Sequence, residues 1–291
     1  MALFFIEESQ EKNKYKLKMN SALNKIEEKT EGNRIFLQLP IKKGTKIKEK
    51  KIKKLVQQMQ KYKIKTAVLS INLNKIEVLK NELYSKNISI LDGKYLFKLL
   101  IEETIKYINK KTNTSMEKTE ISFLTNDVNS MNKEIITRTA EKVQTLNIIT
   151  NHINEFKDIE NYLYDEKGII IKISNNYKTA LQKTKIIINI DFPEEEINKY
   201  CIPNKCIIVN INNEIKIKTK KFNGINISNY NIIMPQKYKI KGYEDKIIYE
   251  SILLDKEYKI AKKQILENKI KIKNLIGENG IINNKEFMFF A

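Results

Sequence analysis

The sequence predicts an α/β protein: a doubly wound, mostly parallel sheet preceded by a smaller α/β domain, with a C-terminal helix returning to that first domain. Three observations predict it. Short apolar runs alternate with one-faced helical stretches along most of the chain, as in sheets covered by helices. Beyond residue 120 the apolar runs lose any in/out alternation, which strands do when both faces are buried. Between the two regions, KKTNTSMEKTE (residues 110–120) holds one apolar residue, Met116, among breakers of regular structure and marks a boundary. The expected organisation is a small α/β domain over 1–110, a linker over 111–120, the doubly wound domain over 121–240, and a C-terminal helical segment and tail over 241–291.

In the first region ALFFI (residues 2–6) predicts a strand, followed by a polar helix ending near Gly32. RIFLQL (34–39) is a second strand, stopped by Pro40. Ile47, Ile52, Leu55, Val56, Met59 and Tyr62 fall at the i, i+3, i+4 spacing of a one-faced helix. TAVLSINL (66–73) predicts a strand, then a helix runs to residue 84, and ISIL (88–91) is a short strand. The turn Asp92-Gly93 opens a strongly apolar helix over 95–108.

The second region alternates more cleanly. Strands are expected at 121–124, 146–150, 169–173, 186–190 and 206–211, with helices at 128–143, 153–164, 177–182 and 194–200 between them. One or two further strands follow around Gly224 and Ile232. Residues 246–273 are expected to be helical, on the strength of apolar positions such as Ile247, Ile248, Leu253, Ala261 and Ile265.

Ligands of open parallel sheets bind outside the carboxyl ends of the strands. Those ends are very polar here: Thr125-Asn126-Asp127-Val128-Asn129 after the first, Asn151-His152 after the second, Ser174-Asn175-Asn176 after the third, Asp191-Phe192-Pro193 after the fourth and Asn212-Asn213 after the fifth. The first turn, TNDVNSMN, contains no glycine. Its Asn, Asp and Ser residues tolerate unusual backbone angles and can cap the following helix through Asp127, Asn129 or Ser130.

The motif Asn151-His152-Ile153 resembles the Asn-Arg-Thr of the shikimate dehydrogenase family, and KIIINIDFP (185–193) resembles its strand closing on Asn-Ala-Thr-Pro, with Asn189 and Pro193 on the matching positions. The resemblance spans roughly residues 92–233. It implies a Rossmann-like second domain, NADP as cofactor, and a cofactor-binding set of Asn126, Asp127, Asn129, Asn151, His152, Asn189 and Asp191. It also lays a catalytic lysine on Lys42 or Lys43, after Leu39-Pro40, and its partner on Asp92, a pair that would shuttle a proton during hydride transfer. The chain departs from the family in the glycine-free turn, in His152 where the arginine for the 2′-phosphate stands, and in lacking the Ser-rich substrate clamp near the N-terminus. Side chains at every position of the turn crowd a pyrophosphate, and Asp127 brings negative charge toward it. NADP is therefore disfavoured, and the cofactor is left open.

A formal charge of +19 and a pI near 9.5 point toward nucleic acid. All but two of the 54 basic residues are lysine, however, the exceptions being Arg34 and Arg138, and bidentate readout of phosphate or guanine favours arginine. The run KKGTKIKEKKIKK (42–54) carries no aromatic residue to stack on bases. It is expected to be a solvated helix face.

Cys201, Cys206 and His152 are too few for a structural zinc site, so no metal is expected. Tyr-x-x-x-Lys, at Tyr107/Lys111 and Tyr258/Lys262, is what chance produces in a chain this rich in lysine. No nucleophile elbow or phosphate loop is present. MALFFIEESQEK lacks the apolar core and basic start of a signal peptide, and no run approaches a membrane span; a cytoplasmic protein is expected. The favoured reading is a non-catalytic Rossmann-like protein that binds a small ligand or a protein partner in place of a dinucleotide. The alternatives are an NAD(P)-dependent oxidoreductase and a lysine-rich nucleic-acid-binding protein.

Overall fold

The computed structural model describes residues 3–9, 11, 13–22, 25–32, 34–41, 47–212, 214–218 and 222–290; Lys42, Lys43 and Asn213 lie outside them. The chain divides into two compact units, residues 1–96 with 234–257 and residues 97–233 with 258–291. Residues 111–120, the expected linker, fall within the second. Among the described residues no helix is long and apolar enough to cross a membrane.

The first unit is built on strands β1 (Leu3–Glu8), β2 (Glu27–Glu31), β3 (Arg34–Leu39), β4 (Thr66–Leu69) and β5 (Ser89–Ile90), in the order β2-β3-β1-β4-β5. All neighbours are parallel except β2, which runs antiparallel on β3. This edge strand corrects the expectation of one helix up to Gly32: the helix is Lys14–Ala22 and the strand EEKTE follows. β2 is almost wholly exposed, so its polar residues carry no burial pattern; only pairing with β3, across a turn where Gly32 takes φ +57°, makes it a strand.

The helix Glu49–Gln60 buries Ile52, Leu55, Val56 and Met59, the stripe its spacing predicts, against Phe4, Leu37 and Leu69 of the sheet. Each such side chain contributes about 1.5–3 kcal/mol by leaving water, before ordering costs. Lys50, Lys53 and Lys54 occupy the opposite, solvated face.

The C-terminal return to the first unit is made by the helix Asp245–Leu253, which packs on β4. Its Glu250 is 1% exposed. The carboxylate accepts the backbone N–H of Gly93 at 2.8 Å and of Leu96 at 3.2 Å, closing the turn that follows β5. Burial pushes Glu250 up to about 7, with the charge of Asp92 adding and the amides opposing.

The second unit holds β6 (Glu120–Leu124), β7 (Thr145–Ile149), β8 (Lys172–Ser174), β9 (Ile186–Asn189), β10 (Ile207–Asn210), β11 (Ile225–Ile233), β12 (Lys271–Gly277) and β13 (Gly280–Ile281). Their order is β13-β12-β11-β10-β9-β6-β7-β8. The six strands from β6 to β11 are parallel, and β12 and β13 extend the β11 edge antiparallel. Phe123, Leu124, Ile148, Ile149, Ile187, Ile188, Ile208 and Val209 are fully buried, which is why these strands show no alternation.

Three further expectations are corrected. Residues 246–273 form two helices, Asp245–Leu253 and Tyr258–Glu267, followed by β12; KIKNLIG, with Ile272 and Leu275 buried, is a strand paired antiparallel with β11. Residues 177–182 form turns in place of a helix. The apolar helix expected over 95–108 is broken at Leu100 into Lys94–Leu99 and Ile101–Lys111.

The second of these helices is anchored by Glu102, which accepts Lys106 Nζ at 2.7 Å and Lys142 Nζ at 2.6 Å. Burial raises that carboxyl, but the hydrogen bonds and charges of the two lysines outweigh burial and hold it at about 2.

Candidate functional site

Counted in chain order, the six parallel strands lie 3-2-1-4-5-6, so the winding reverses between β6 and β9. The crevice of such a sheet opens at that reversal, at the carboxyl ends of the strands. Here it is bounded by the turn after β6 and the residues after β9.

The turn after β6 leads into the helix Ser130–Ala140, capped by Asn129, whose side-chain oxygen accepts Asn132 N–H at 2.8 Å. Asp127 accepts the N–H of Asn129 at 3.2 Å and also bonds its side-chain amide. Asn132, fully buried, donates to the Asp127 carbonyl at 2.7 Å and pulls the turn onto the helix. The expectation of a well-made helix start therefore describes the local geometry.

The central feature comes from across the reversal. Asp191, after β9, accepts Asn126 N–H at 2.8 Å on Oδ1, and Asp127 N–H at 2.9 Å and the Thr125 hydroxyl at 2.8 Å on Oδ2. A carboxylate thus occupies the backbone N–H groups of the turn, where a nucleotide-binding sheet presents them to phosphate.

The other residues read from the sequence as cofactor contacts are engaged by protein neighbours. Asn126 accepts Asn151 N–H at 2.8 Å and the Thr150 hydroxyl at 3.2 Å, tying the first turn to the second. The Asn151 side chain donates to Glu196 at 3.3 Å, a carboxylate also held by Lys199 at 2.6 Å. His152 is half exposed and pairs with Glu155 at 3.0 Å; its own N–H donates to Thr150.

Asn189 is turned into the sheet. It donates to Phe192 O and Asn210 Oδ1, both at 3.1 Å, and accepts Phe192 N–H at 2.9 Å. Asn210 continues to Asn226 at 2.7 Å, so a buried asparagine ladder crosses β9, β10 and β11. Replacing Asn189 with alanine orphans Phe192 N–H and Asn210 Oδ1, and thermal unfolding should show a loss of about 2 kcal/mol. His152→Ala should change stability by less than about 0.5 kcal/mol.

Of the catalytic candidates, Lys42 lies outside the described residues. Asp92 is exposed in the first unit and its carboxylate is engaged by Lys94, through the N–H at 3.1 Å and the ammonium at 3.1 Å.

One residue escaped the sequence reading. Lys98, near the end of Lys94–Leu99, has a side chain only 12% exposed, and its ammonium lies 4.0 Å from the Asp127 carboxylate. Burial lowers its pKa, while Asp127 and Asp191 pull it upward. The signal was a single charge inside the apolar run YLFKLLI.

Among the described residues no cluster of three His, Cys, Asp or Glu side chains could hold a metal. Cys206 is buried, its thiol pushed up to about 12 by burial, and Cys201 is exposed; both are free.

The strand order 3-2-1-4-5-6 and its polar crevice define a Rossmann-like, doubly wound protein. No family model matches the chain, and no curated protein matches it. Among solved structures it is similar to L-tryptophan dehydrogenase from Nostoc punctiforme, at 10% identity over 91% of this chain and 78% of that one, with a TM-score of 0.35. It is also similar to a shikimate dehydrogenase in complex with NADP+, at 9% identity over 92% and 95% of the two chains, TM-score 0.32. A third is ornithine transcarbamoylase from Giardia lamblia, at 9% identity over 72% of each chain, TM-score 0.29. The fold assignment rests on the strand order itself.

Proposed function

We propose that this is a non-catalytic Rossmann-like protein whose crevice binds a small ligand or a protein partner in place of a dinucleotide. The observation that carries the reading is the Asp191 carboxylate seated on the N–H groups of Asn126 and Asp127. A pyrophosphate would have to displace it, giving up three hydrogen bonds, and would then lie beside two carboxylates, Asp127 and Asp191. Each like-charge pair at about 4 Å costs about 4 kcal/mol at an effective dielectric of about 20. The crowding side chains of the turn act in the same direction.

The site beyond β7 supports the reading too. The Glu155 partner of His152 and the nearby Glu196 would oppose the 2′-phosphate of NADP. Lys50, Lys53 and Lys54 stand on the solvated face of the helix Glu49–Gln60 while Lys51 is buried, and no aromatic residue stands among them to stack on bases, which favours this reading over a nucleic-acid interface.

Titration with NADH and NADPH, followed by nicotinamide fluorescence and thermal shift, tests the proposal. No saturable change at millimolar cofactor is expected. Saturable binding of either cofactor would instead establish the oxidoreductase alternative. Tight DNA or RNA binding that falls steeply with salt would establish the nucleic-acid one.

A further inference from the structure

Lys98 brings to the crevice a charged group whose donors the described residues leave unspent. Its side chain is 12% exposed, and no acceptor among the described residues lies within hydrogen-bond distance of its ammonium; the contact with Asp127 at 4.0 Å is too long to be a hydrogen bond. An ammonium carries three donors and is costly to withdraw from water without acceptors. By contrast, both oxygens of Asp191 are engaged by the turn. Asp127, facing Lys98, is 48% exposed on its side chain; each of its oxygens accepts one bond from Asn129 and keeps a further lone pair for a visitor.

We propose that Lys98 and Asp127 form a receptor for the head group of a small zwitterion, an α-amino acid or a closely related amino carboxylate. Lys98 takes its carboxylate and Asp127 its ammonium. The inference rests on the reading that the crevice is not a dinucleotide site.

Charge and spacing select this chemistry. Asp127, Asp191 and Lys98 together carry a net negative charge, which repels a phosphate or a simple carboxylate. A simple amine would find Asp127 but leave the Lys98 donors unmet. A zwitterion adds no net charge and answers both groups. Its ammonium nitrogen and carboxylate oxygens lie about 3 Å apart from bond lengths alone. Groups 4.0 Å apart can each reach one of these atoms, so two charge-assisted pairs form side by side. The position is also where this topology places ligands, at the carboxyl end of β6 beside the reversal to β9.

The experiment is calorimetric and NMR titration of the full chain with the twenty common α-amino acids. Each binder is then compared with the matching acid lacking the amine and the matching amine lacking the carboxylate. At least one amino acid should bind with a millimolar or tighter Kd, and both truncated analogues should bind at least about tenfold more weakly. Lys98→Met and Asp127→Asn should each weaken the amino acid at least about tenfold. Binding by no amino acid, equal binding of the amine-free acid, or undiminished binding by folded Lys98→Met would each overturn the inference. The analogue comparison needs no variant, so it decides the matter even where Lys98→Met unfolds. NADPH titrated in parallel tests the non-dinucleotide reading separately: NADPH binding fails that reading, and the amino-acid series alone judges the receptor.

Discussion

Replacing Asp191 with alanine lowers the melting temperature of the protein by about 6–12 °C, the shift expected when a unit of this size loses about 3 kcal/mol. The carboxylate accepts three hydrogen bonds, from Asn126 N–H, Asp127 N–H and the Thr125 hydroxyl. Hydrogen bonds to a charged acceptor are worth about 1.5–3 kcal/mol each when buried, and less where water can replace the acceptor. Asp127 is exposed and Asn126 half-buried, so about 1 kcal/mol apiece is the appropriate scale. Asp191→Asn keeps one acceptor but turns an N–H₂ toward the remaining donors, and should fall between wild type and Asp191→Ala. Calorimetry on the three proteins measures this. A drop of less than about 1 °C in the alanine variant, under about 0.5 kcal/mol on the same scale, would show that the turn does not depend on Asp191.

The second large effect is a pH dependence centred on Glu250. Its folded pKa is raised from the ordinary 4.5 to about 7 by burial. Below pH 4.5 the residue is protonated in both states and the stability it permits is fully present. As pH rises through 4.5 the unfolded chain releases its proton while the folded protein keeps it, so the unfolded state gains and stability falls. The fall ends near pH 7, where the folded carboxyl ionises as well. At 1.36 kcal/mol per unit, the loss across this window is about 3 kcal/mol.

Glu102 acts with the opposite sign at lower pH. Its carboxyl sits at about 2, so the stability it confers is complete above 4.5 and fades as pH falls toward 2. Comparing chemical denaturation of wild type and Glu250→Gln between pH 4.5 and 7 isolates the first effect. The wild-type curve should decline and the variant curve should be flatter by most of that difference. Parallel curves would reject the assignment, whatever the absolute stability of the variant, because a glutamine side chain does not titrate.

Much of this architecture was legible in the amino acids. The alternation of apolar runs and one-faced helices gave the parallel sheets, and the unalternating strands from Ile121 onward gave their burial. The stripe Ile52, Leu55, Val56 and Met59 gave the inward face of its helix, and the Asn-Asp-Ser turn gave the helix start at Asn129. Less legible were elements whose identity depends on a neighbour. The polar strand EEKTE exists because β3 offers it an edge, and β12 because β11 does. Periodicity reports burial: the exposed β2 has little to report, and the three-residue spacing of buried Ile272 and Leu275 in β12 also fits a helix.

The candidate site divides the same way. Sequence alone placed Asn126, Asp127, Asn151, His152, Asn189 and Asp191 at strand ends, because strand ends follow from local pattern. What those side chains do there was settled by the strand order. Adjacency of β6 and β9 brings Asp191 onto amides 64 and 65 residues away, and adjacency of β9, β10 and β11 turns Asn189 into a rung of a buried ladder. Lys98 reaches Asp127 across 29 residues of chain. The pattern of hydrophobicity fixes which residues are buried and in what kind of element. Which polar groups then meet depends on the order in which the strands assemble, and the local pattern of residues does not encode that order.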